Sequence, residues 1–561
     1  MDTLTKRYGP RLKTSNAATN TSNNFNSMSS AVLTDMRTTD QLIRAIVKTQ
    51  SREKDLKSIE YQLIKQRYKM SLPVALDACH AFYKVQHAMP SYLPALFSVI
   101  EETFQSMQPS PEDITFLFLY VFLHGSAPEM LFHMVEEYLL KHLHHFHIND
   151  LGVISAGFFR ANHRIMSQDL LEVMAHKLLM DFSFVDPYLL MTFMKVYRHA
   201  SYVRISFYNK LADSLMKDNY LTHYNSTNSL MHIAFTYASI PIVHKELFEQ
   251  LLCRFEALLN QKPNTRTKDL SKFVWACGTL QFKPHDYQQR FRRLANHFEL
   301  SSVEQFPESL AELLFGLIYL EIFPEDLLSR CLSQDVINRL ADSAADKEKS
   351  FQLLILNETM KIECPLYSGP TLLQSQRQVL LEHLALSKDM EVELQIRIGL
   401  AAVLTSLQIS LGTERVRCHF PLPHFRTAVI ELEYCMTDGF VQVDQKQPLL
   451  HQSSSKQTSV IPRIIIDDLY TATKDKCESV HKEKRIKIVI AMASTNQQAI
   501  NSSQPLGHWS TKVRQLQKLG YKVCQISPGD ALKLEISSHK DRCNLLSQHL
   551  SMCLATTVSL P

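Results

Sequence analysis

Asp113–Phe118 reads DITFLF, an acid followed by an apolar run. The pattern returns at Asp150–Ser155 (DLGVIS), Asp186–Met191 (DPYLLM), Thr227–His232 (TNSLMH) and Asp269–Val274 (DLSKFV). These starts are 37, 36, 41 and 42 residues apart. A second amphipathic stretch follows each, aligned on Leu131, Leu170, Phe207, Leu247 and Tyr287 at spacings of 39, 37, 40 and 40. A polar residue ahead of an apolar run is a helix-start signal, because its side chain can satisfy free N–H groups of the first turn. Two helices in a unit of about 38 residues cannot bury their apolar faces alone, so neighbouring units must stack. The expected fold is therefore mainly α, an α-solenoid of helix-turn-helix repeats over residues 35–265.

Working outward, composition narrows the class. Hydrophobic residues make up 45% of the 561 and charged residues 21%, a globular balance that argues against general disorder. Only 13 residues are Gly, which counts against glycine-rich phosphate loops, large β-barrels and propellers. The longest nearly unbroken apolar stretch, Ile114–Leu123 with Thr115 inside it, is ten residues, too short to span a bilayer. Eleven Cys occur without a Cys-x-x-Cys pair or a secretory segment before them, so a reduced interior fits better than a disulfide framework. A soluble, mostly helical protein is expected.

Charge is uneven. The chain carries +4 overall, yet His481–Leu550 holds eleven Lys/Arg against four acids. That +7 leaves −3 for everything else, and a basic module on a near-neutral body points to a polyanionic partner. Met1–Thr34 has Lys6, Arg7, Arg11 and Lys13 against the single acid Asp2, with many Ser, Thr and Asn. This reads either as a disordered tail or as a mitochondrial transit segment. His142, His144, His145 and His147 are spaced so that their rings scatter around a helix end, so they are taken as helix C-terminal and loop residues rather than metal ligands. Arg160, Arg164, Lys195 and Arg198 near helix ends are candidate polar positions on the concave surface that such a stack offers to a peptide, a protein or a single nucleic acid strand. The plainer reading of each is a solvated helix residue.

From about residue 265 a family resemblance appears. Asp269–Phe282 (DLSKFVWACGTLQF) and Leu310–Leu327 (LAELLFGLIYLEIFPEDL) resemble the first conserved region of the FAST kinase (Fas-activated serine/threonine kinase) domain family. Leu356–Pro370 (LNETMKIECPLYSGP) is similar to the start of that family's second region, and Lys487–Ile526 resembles its C-terminal RAP domain, most clearly at Leu506–Ile526. The resemblance implies a small α/β, restriction-endonuclease-like domain after the helices. The organisation expected is a tail or transit segment at 1–34, repeats at 35–265 and FAST kinase-like helical regions 1 and 2 at 266–440. A polar linker follows at 441–460, then the RAP domain at 461–550.

The last part is also legible residue by residue. Ile486–Ala491 (IKIVIA) reads as a buried strand. Trp509, Val513 and Leu516 form the core stripe of a helix, with Arg514 and Lys518 on the opposite face. Gly520 suits a left-handed helix stop, and Tyr521–Ile526 alternates as a strand. Many RAP domains end the first strand in an acid, but no Asp or Glu occurs here between Ile486 and Gly529. Metal-assisted phosphodiester hydrolysis needs carboxylates, and only Asp467 and Asp468 on an earlier candidate strand could substitute. Kinase chemistry lacks its Gly-rich loop, strand Lys, His-Arg-Asp and Asp-Phe-Gly segments; Asp438-Gly439-Phe440 is no replacement.

No catalytic, metal or cofactor site and no enzyme activity are expected. What the resemblance implies is a protein of the mitochondrial matrix that binds single-stranded organelle transcripts and regulates their stability, processing or translation. Phosphate contacts would come from Lys484, Arg485, Lys487, Lys512, Arg514, Lys518 and Lys522. The partners expected are RNA and other mitochondrial RNA-processing proteins, with no membrane span. The alternatives are an RNA-processing endonuclease using the RAP domain and a non-enzymatic helical scaffold that binds proteins.

Overall fold

A computed structural model describes residues 38–48, 53–261, 265–342, 347–386, 390–425, 427–443 and 485–555. It is mainly helical with a small C-terminal sheet and divides into two compact units at Tyr224/Asn225. The expected segment 1–34, most of the linker (444–460), Asp467, Asp468 and Lys484 lie outside the described residues.

The first unit is a run of helix pairs. These are α1 (Thr39–Lys48) and α2 (Glu53–Gln66), α3 (Leu72–Lys84) and α4 (Tyr92–Met107), and α5 (Pro111–His124) and α6 (Glu129–His142). They continue as α7 (Ile148–Arg160) and α8 (Gln168–Met180), then α9 (Pro187–His199) and α10 (Ile205–Met216). Odd-numbered helices pack on odd ones and even on even, giving two layers with the core between them. Phe118, Phe132 and Phe158 meet there, with ring centroids 4.9–5.8 Å apart. The acids noted in the sequence do mark helix starts, by two routes. Asp186 caps α9 directly, accepting from Leu189 N at 2.8 Å. Asp113 and Asp150 instead lie three residues inside, paired with the true caps Ser110 and His147 in reciprocal capping boxes.

The second unit continues the pairing with α11 (Thr227–Ser239), α12 (Lys245–Gln261), α13 (Thr267–Thr279), α14 (Tyr287–Asn296), α15 (Pro307–Tyr319) and α16 (Glu325–Cys331). Then come α17 (Gln334–Asp342), α18 (Lys347–Glu363), α19 (Gln374–Leu386) and α20 (Met390–Leu411). Strands β1 (Arg417–His419), β2 (Val429–Cys435) and β3 (Gly439–Val441) precede β4 (Ile486–Met492), α21 (Gly507–Lys518) and β5 (Lys522–Ile526). Helices α22 (Pro528–Ile536) and α23 (His539–Ala555) close the described chain.

The sheet order is β1-β2-β4-β5, with β3 folded back on β2. The first three strands of that path are antiparallel, and β4 and β5 are parallel, Met492 opposite Ile526. Ile430, Leu432, Ile488 and Ile490 face α20, α22 and α23, while Val429, Val489 and Ala491 face Trp509, Val513 and Leu516 of α21. The strand–helix–strand elements stand where the sequence suggested, and Gly520 adopts φ +88° after α21.

Two expected boundaries need correction. Residues 417–441 carry β1, β2 and β3 inside the 266–440 region expected to be helical, and one sheet takes strands from before and after the 441–460 stretch expected to separate two domains. The reason is hydrogen bonding: β2 pairs with β4 from Ile430↔Ile490 to Tyr434↔Ile486, so the sheet is assembled from both sides of that stretch.

Candidate nucleic-acid interface

Of the basic residues assigned to phosphate contacts, three stand at the surface. Lys487 is exposed on β4, Lys518 is exposed at the end of α21, and Arg485 keeps 60% of its side chain in solvent while its Nη1 lies 3.4 Å from Glu433. Lys522 is half-buried on β5; the register places it opposite Ile488, on the other side of the sheet from Lys487. Two assignments are corrected. Lys512 is 1% exposed, and its Nζ donates to the carbonyl and the hydroxyl of Thr427. Burial lowers its pKa to about 7. Arg514 points at Glu363 and donates to both carboxylate oxygens at 2.7 and 2.9 Å, and to Ile318 O at 3.0 Å. Around Arg514, the helix face that reads as solvent-facing in isolation is covered by α15 and α18, while Lys518, one turn on, stays exposed.

That contact surface accounts for the LNETMKIECPLYSGP segment. Asn357, Glu358, Thr359 and Glu363 are all buried polar residues. Each has a partner. Asn357 accepts from Leu372 N at 2.9 Å, and Arg377 of α19 donates to both Glu358 oxygens at 2.8 and 3.0 Å. Burial opposes ionisation of Glu358, yet the Arg377 pairing holds its carboxyl below the usual range. Gln515 of α21 donates to Thr359 Oγ1 at 3.0 Å and Glu363 Oε1 at 2.9 Å. Its carbonyl oxygen takes the His424 Nε2–H at 2.8 Å, and burial lowers the His424 pKa to about 4, which keeps the ring neutral. The segment is a polar socket that holds the sheet-bearing part against the helices.

A second attachment lies in the loop before α21. Asn501 exchanges hydrogen bonds with both backbone groups of Val243, Ile500 N donates to Pro241 O, and Gln504 donates to Leu280 O. Beside it a cleft of about 700 Å³ is lined by His244, Lys245, Phe248, Phe282, Lys283 and Gln504 among others. Lys283 there bonds Glu321 at 2.6 Å, so the cleft carries mixed charge.

On the sheet, the structure assembles a group that sequence reasoning missed. Glu431 (2% exposed) and Glu433 (6%) lie on one face of β2. His419 Nε2 approaches Glu431 at 3.0 Å and Arg417 Nε at 3.7 Å, while Lys487 stands opposite Glu433. Burial works against the Glu431 charge, but His419, Arg417 and Lys487 hold its carboxyl below the usual range. The alternating VIELEYC pattern was the available signal. Among the four histidines at the end of α6, His147 serves as a helix cap, accepting from Asn149 N at 3.3 Å, and the His144 and His145 rings lie 3.9 Å apart. Arg164, read as solvated, donates to Ala200 O at 3.0 Å.

Residues 270–341, which carry α13 to α17, match the family description "FAST kinase-like protein, subdomain 1". The chain is 21% identical over 534 residues to the FAST kinase domain-containing protein 5, mitochondrial, of Mus musculus, covering 85% of this chain and 68% of the relative. To the protein of the same name from Homo sapiens it is 22% identical over 458 residues, covering 72% and 58%. To the FAST kinase domain-containing protein 3, mitochondrial, of Bos taurus it is 25% identical over 279 residues, covering 48% and 36%. Among the described residues no helix is long and apolar enough to cross a membrane.

Proposed function

The chain belongs to the FAST kinase-like family, and from that premise we propose that it is a mitochondrial RNA-binding protein of the matrix that regulates organelle transcripts through their stability, processing or translation. The mitochondrial part of the reading is supported by the names its relatives carry. The observation that carries the RNA part is the +7 segment His481–Leu550, whose Arg485, Lys487 and Lys518 remain at the surface beside a stack of helices. In this reading the paired helices form an α-solenoid that offers an extended surface to a single strand, and the sheet with its helices is the RAP domain. Phosphate contacts supply affinity rather than base choice.

The protein acts here as a binder and not as an enzyme. The kinase segments are missing from the sequence. The carboxylates on the sheet, Glu431 and Glu433, are buried against Arg417, His419, Arg485 and Lys487, which compete with the cation that a nuclease would hold there.

Ultraviolet crosslinking of the tagged full-length protein in fractionated cells, with sequencing of the bound RNA, tests the proposal. Enrichment of mitochondrial transcripts is expected. Protein in mitochondria without crosslinked RNA would overturn the RNA reading, and RNA crosslinks confined to the cytosol would overturn the location. Magnesium-dependent cleavage of RNA by the pure protein would replace binding with catalysis.

A further inference from the structure

Two places in the first unit are built on one plan, 76 residues apart, or two repeat lengths. Glu53, Lys57, Glu60, Phe82, His87 and Ser91 correspond in number to Glu129, His133, Glu136, Phe158, His163 and Ser167. In the earlier place Glu60, on α2, accepts from the backbone N–H groups of Ser91 and Tyr92 at the start of α4, at 2.8 and 2.6 Å. Its other oxygen meets His87 Nε2 at 2.9 Å, and Lys57 turns away to Glu53 at 2.7 Å. That place is a closed, satisfied helix cap.

The later place keeps the frame and changes one member. Glu136, on α6 and 5% exposed, accepts from Met166 N at 3.1 Å and Ser167 N at 2.9 Å. His163, in the turn between α7 and α8, lies stacked on Phe132 with centroids 4.2 Å apart and planes 8° apart. Unlike His87, its Nε2 is buried without a hydrogen-bond partner. Where the earlier place has Lys57, this one has His133, one turn before Glu136 on the same helix, and His133 is loosely held, 3.9 Å from Glu129. A ring nitrogen of His133, a carboxylate oxygen of Glu136 and a ring nitrogen of His163 all lie within 4.8 Å of one another.

We propose that His133, Glu136 and His163 form a binding site for a divalent zinc-like cation. Two imidazoles and one carboxylate are the borderline donor set that Zn²⁺ prefers, and three protein ligands leave a fourth position for water. Tetrahedral zinc bonded at about 2.0–2.1 Å needs ligand atoms about 3.3 Å apart, so the trio, now within 4.8 Å, must contract by up to about 1.5 Å. The half-exposed His133 side chain is the arm free to do so. The carboxylate is already aimed by two backbone N–H groups, and the stack on Phe132 fixes the His163 ring plane. The ion would join α6 to the α7–α8 turn, and its role is to fasten one repeat to the next. A lysine at the third position explains why the earlier place cannot do the same: it brings a positive charge where this one brings a lone pair.

Metal-free full-length protein loaded with Zn²⁺ and dialysed provides the test, with zinc per chain measured by elemental analysis and thermal stability followed with and without the metal. His133→Lys reproduces the earlier place and His163→Gln removes the second imidazole. The wild type is expected to hold one more zinc per chain than either variant and to show a zinc-dependent rise in Tm that both lack. Cobalt substitution of the wild type should give the visible absorption of a four-coordinate site, absent from His133→Lys. Equal zinc content in the wild type and in both variants, or a wild-type Tm unmoved by zinc, overturns the assignment.

Discussion

Lys512 sits on a helix with only cations for charged residues, yet it is enclosed and donates to Thr427. An unfolded lysine titrates near 10.5, whereas burial holds this one at about 7. Below pH 7 both states are protonated and the folded state carries the full burial cost. Between 7 and 10.5 the unfolded chain alone keeps the proton, so this residue makes stability rise with pH across that window. Lys512→Met should flatten that rise, read from urea unfolding at pH 7 and pH 9, and leave the RNA affinity of the folded protein unchanged. Arg514 is a different case. Removing it by Arg514→Ala leaves Glu363, whose side chain is 1% exposed, with the neutral Gln515 donor in place of its counter-charge, and should cost about 3 kcal/mol. The loss should show as faster hydrogen exchange through α21 and the 498–506 loop. If exchange there is unaltered, the socket is not what holds the helix.

At the scale of elements, three of the 13 glycines make one close passage. A Cβ on Gly278 of α13 would lie 2.3 Å from Gly316 O of α15. One on Gly316 would meet Val274 O at 2.5 Å, and one on Gly507 at the start of α21 would meet Gly278 O at 2.5 Å and the Tyr319 ring at 2.7 Å. All the first-met atoms are backbone, so the helices themselves would have to part. Gly316→Ala should therefore destabilise the second unit by about 1–3 kcal/mol, visible as a lower Tm, despite alanine's better helix propensity. An unchanged Tm would mean that α13 and α15 do not approach this closely. Sequence gave the existence of these helices through their apolar period. It gave no hint of this contact, since a helical glycine looks the same whether it faces solvent or another backbone.

For the whole molecule, charge distribution sets the expectation. Arg485, Lys487 and Lys518 are the surface members of the basic set among the described residues, and reversing all three to Glu should weaken RNA binding about tenfold or more at low salt. If each neutralises one phosphate of a single strand, the slope of log affinity against log salt should fall by about 2. A folded triple variant with unaltered affinity and slope would move the interface elsewhere. The comparison with Lys512 and Arg514 separates the two kinds of cation: those two should alter stability first, these three affinity first.

Amphipathic period and capping residues are local properties of the chain, written within some four residues of each other. For that reason the helix pairs, the strand–helix–strand of β4, α21 and β5, and the stop at Gly520 were determined by sequence alone. Burial of a charge depends instead on what arrives from far along the chain. Glu363 reaches Arg514 across 151 positions, Thr427 reaches Lys512 across 85, and β2 pairs with β4 across the 441–460 stretch. Side-chain type alone assigns a cation to solvent, and only tertiary structure could turn two of the expected phosphate contacts into internal fastenings. The same holds for His133, Glu136 and His163: the sequence spaces them 3 and 27 residues apart, and the stacking of α6 against the α7–α8 turn brings their donor atoms together.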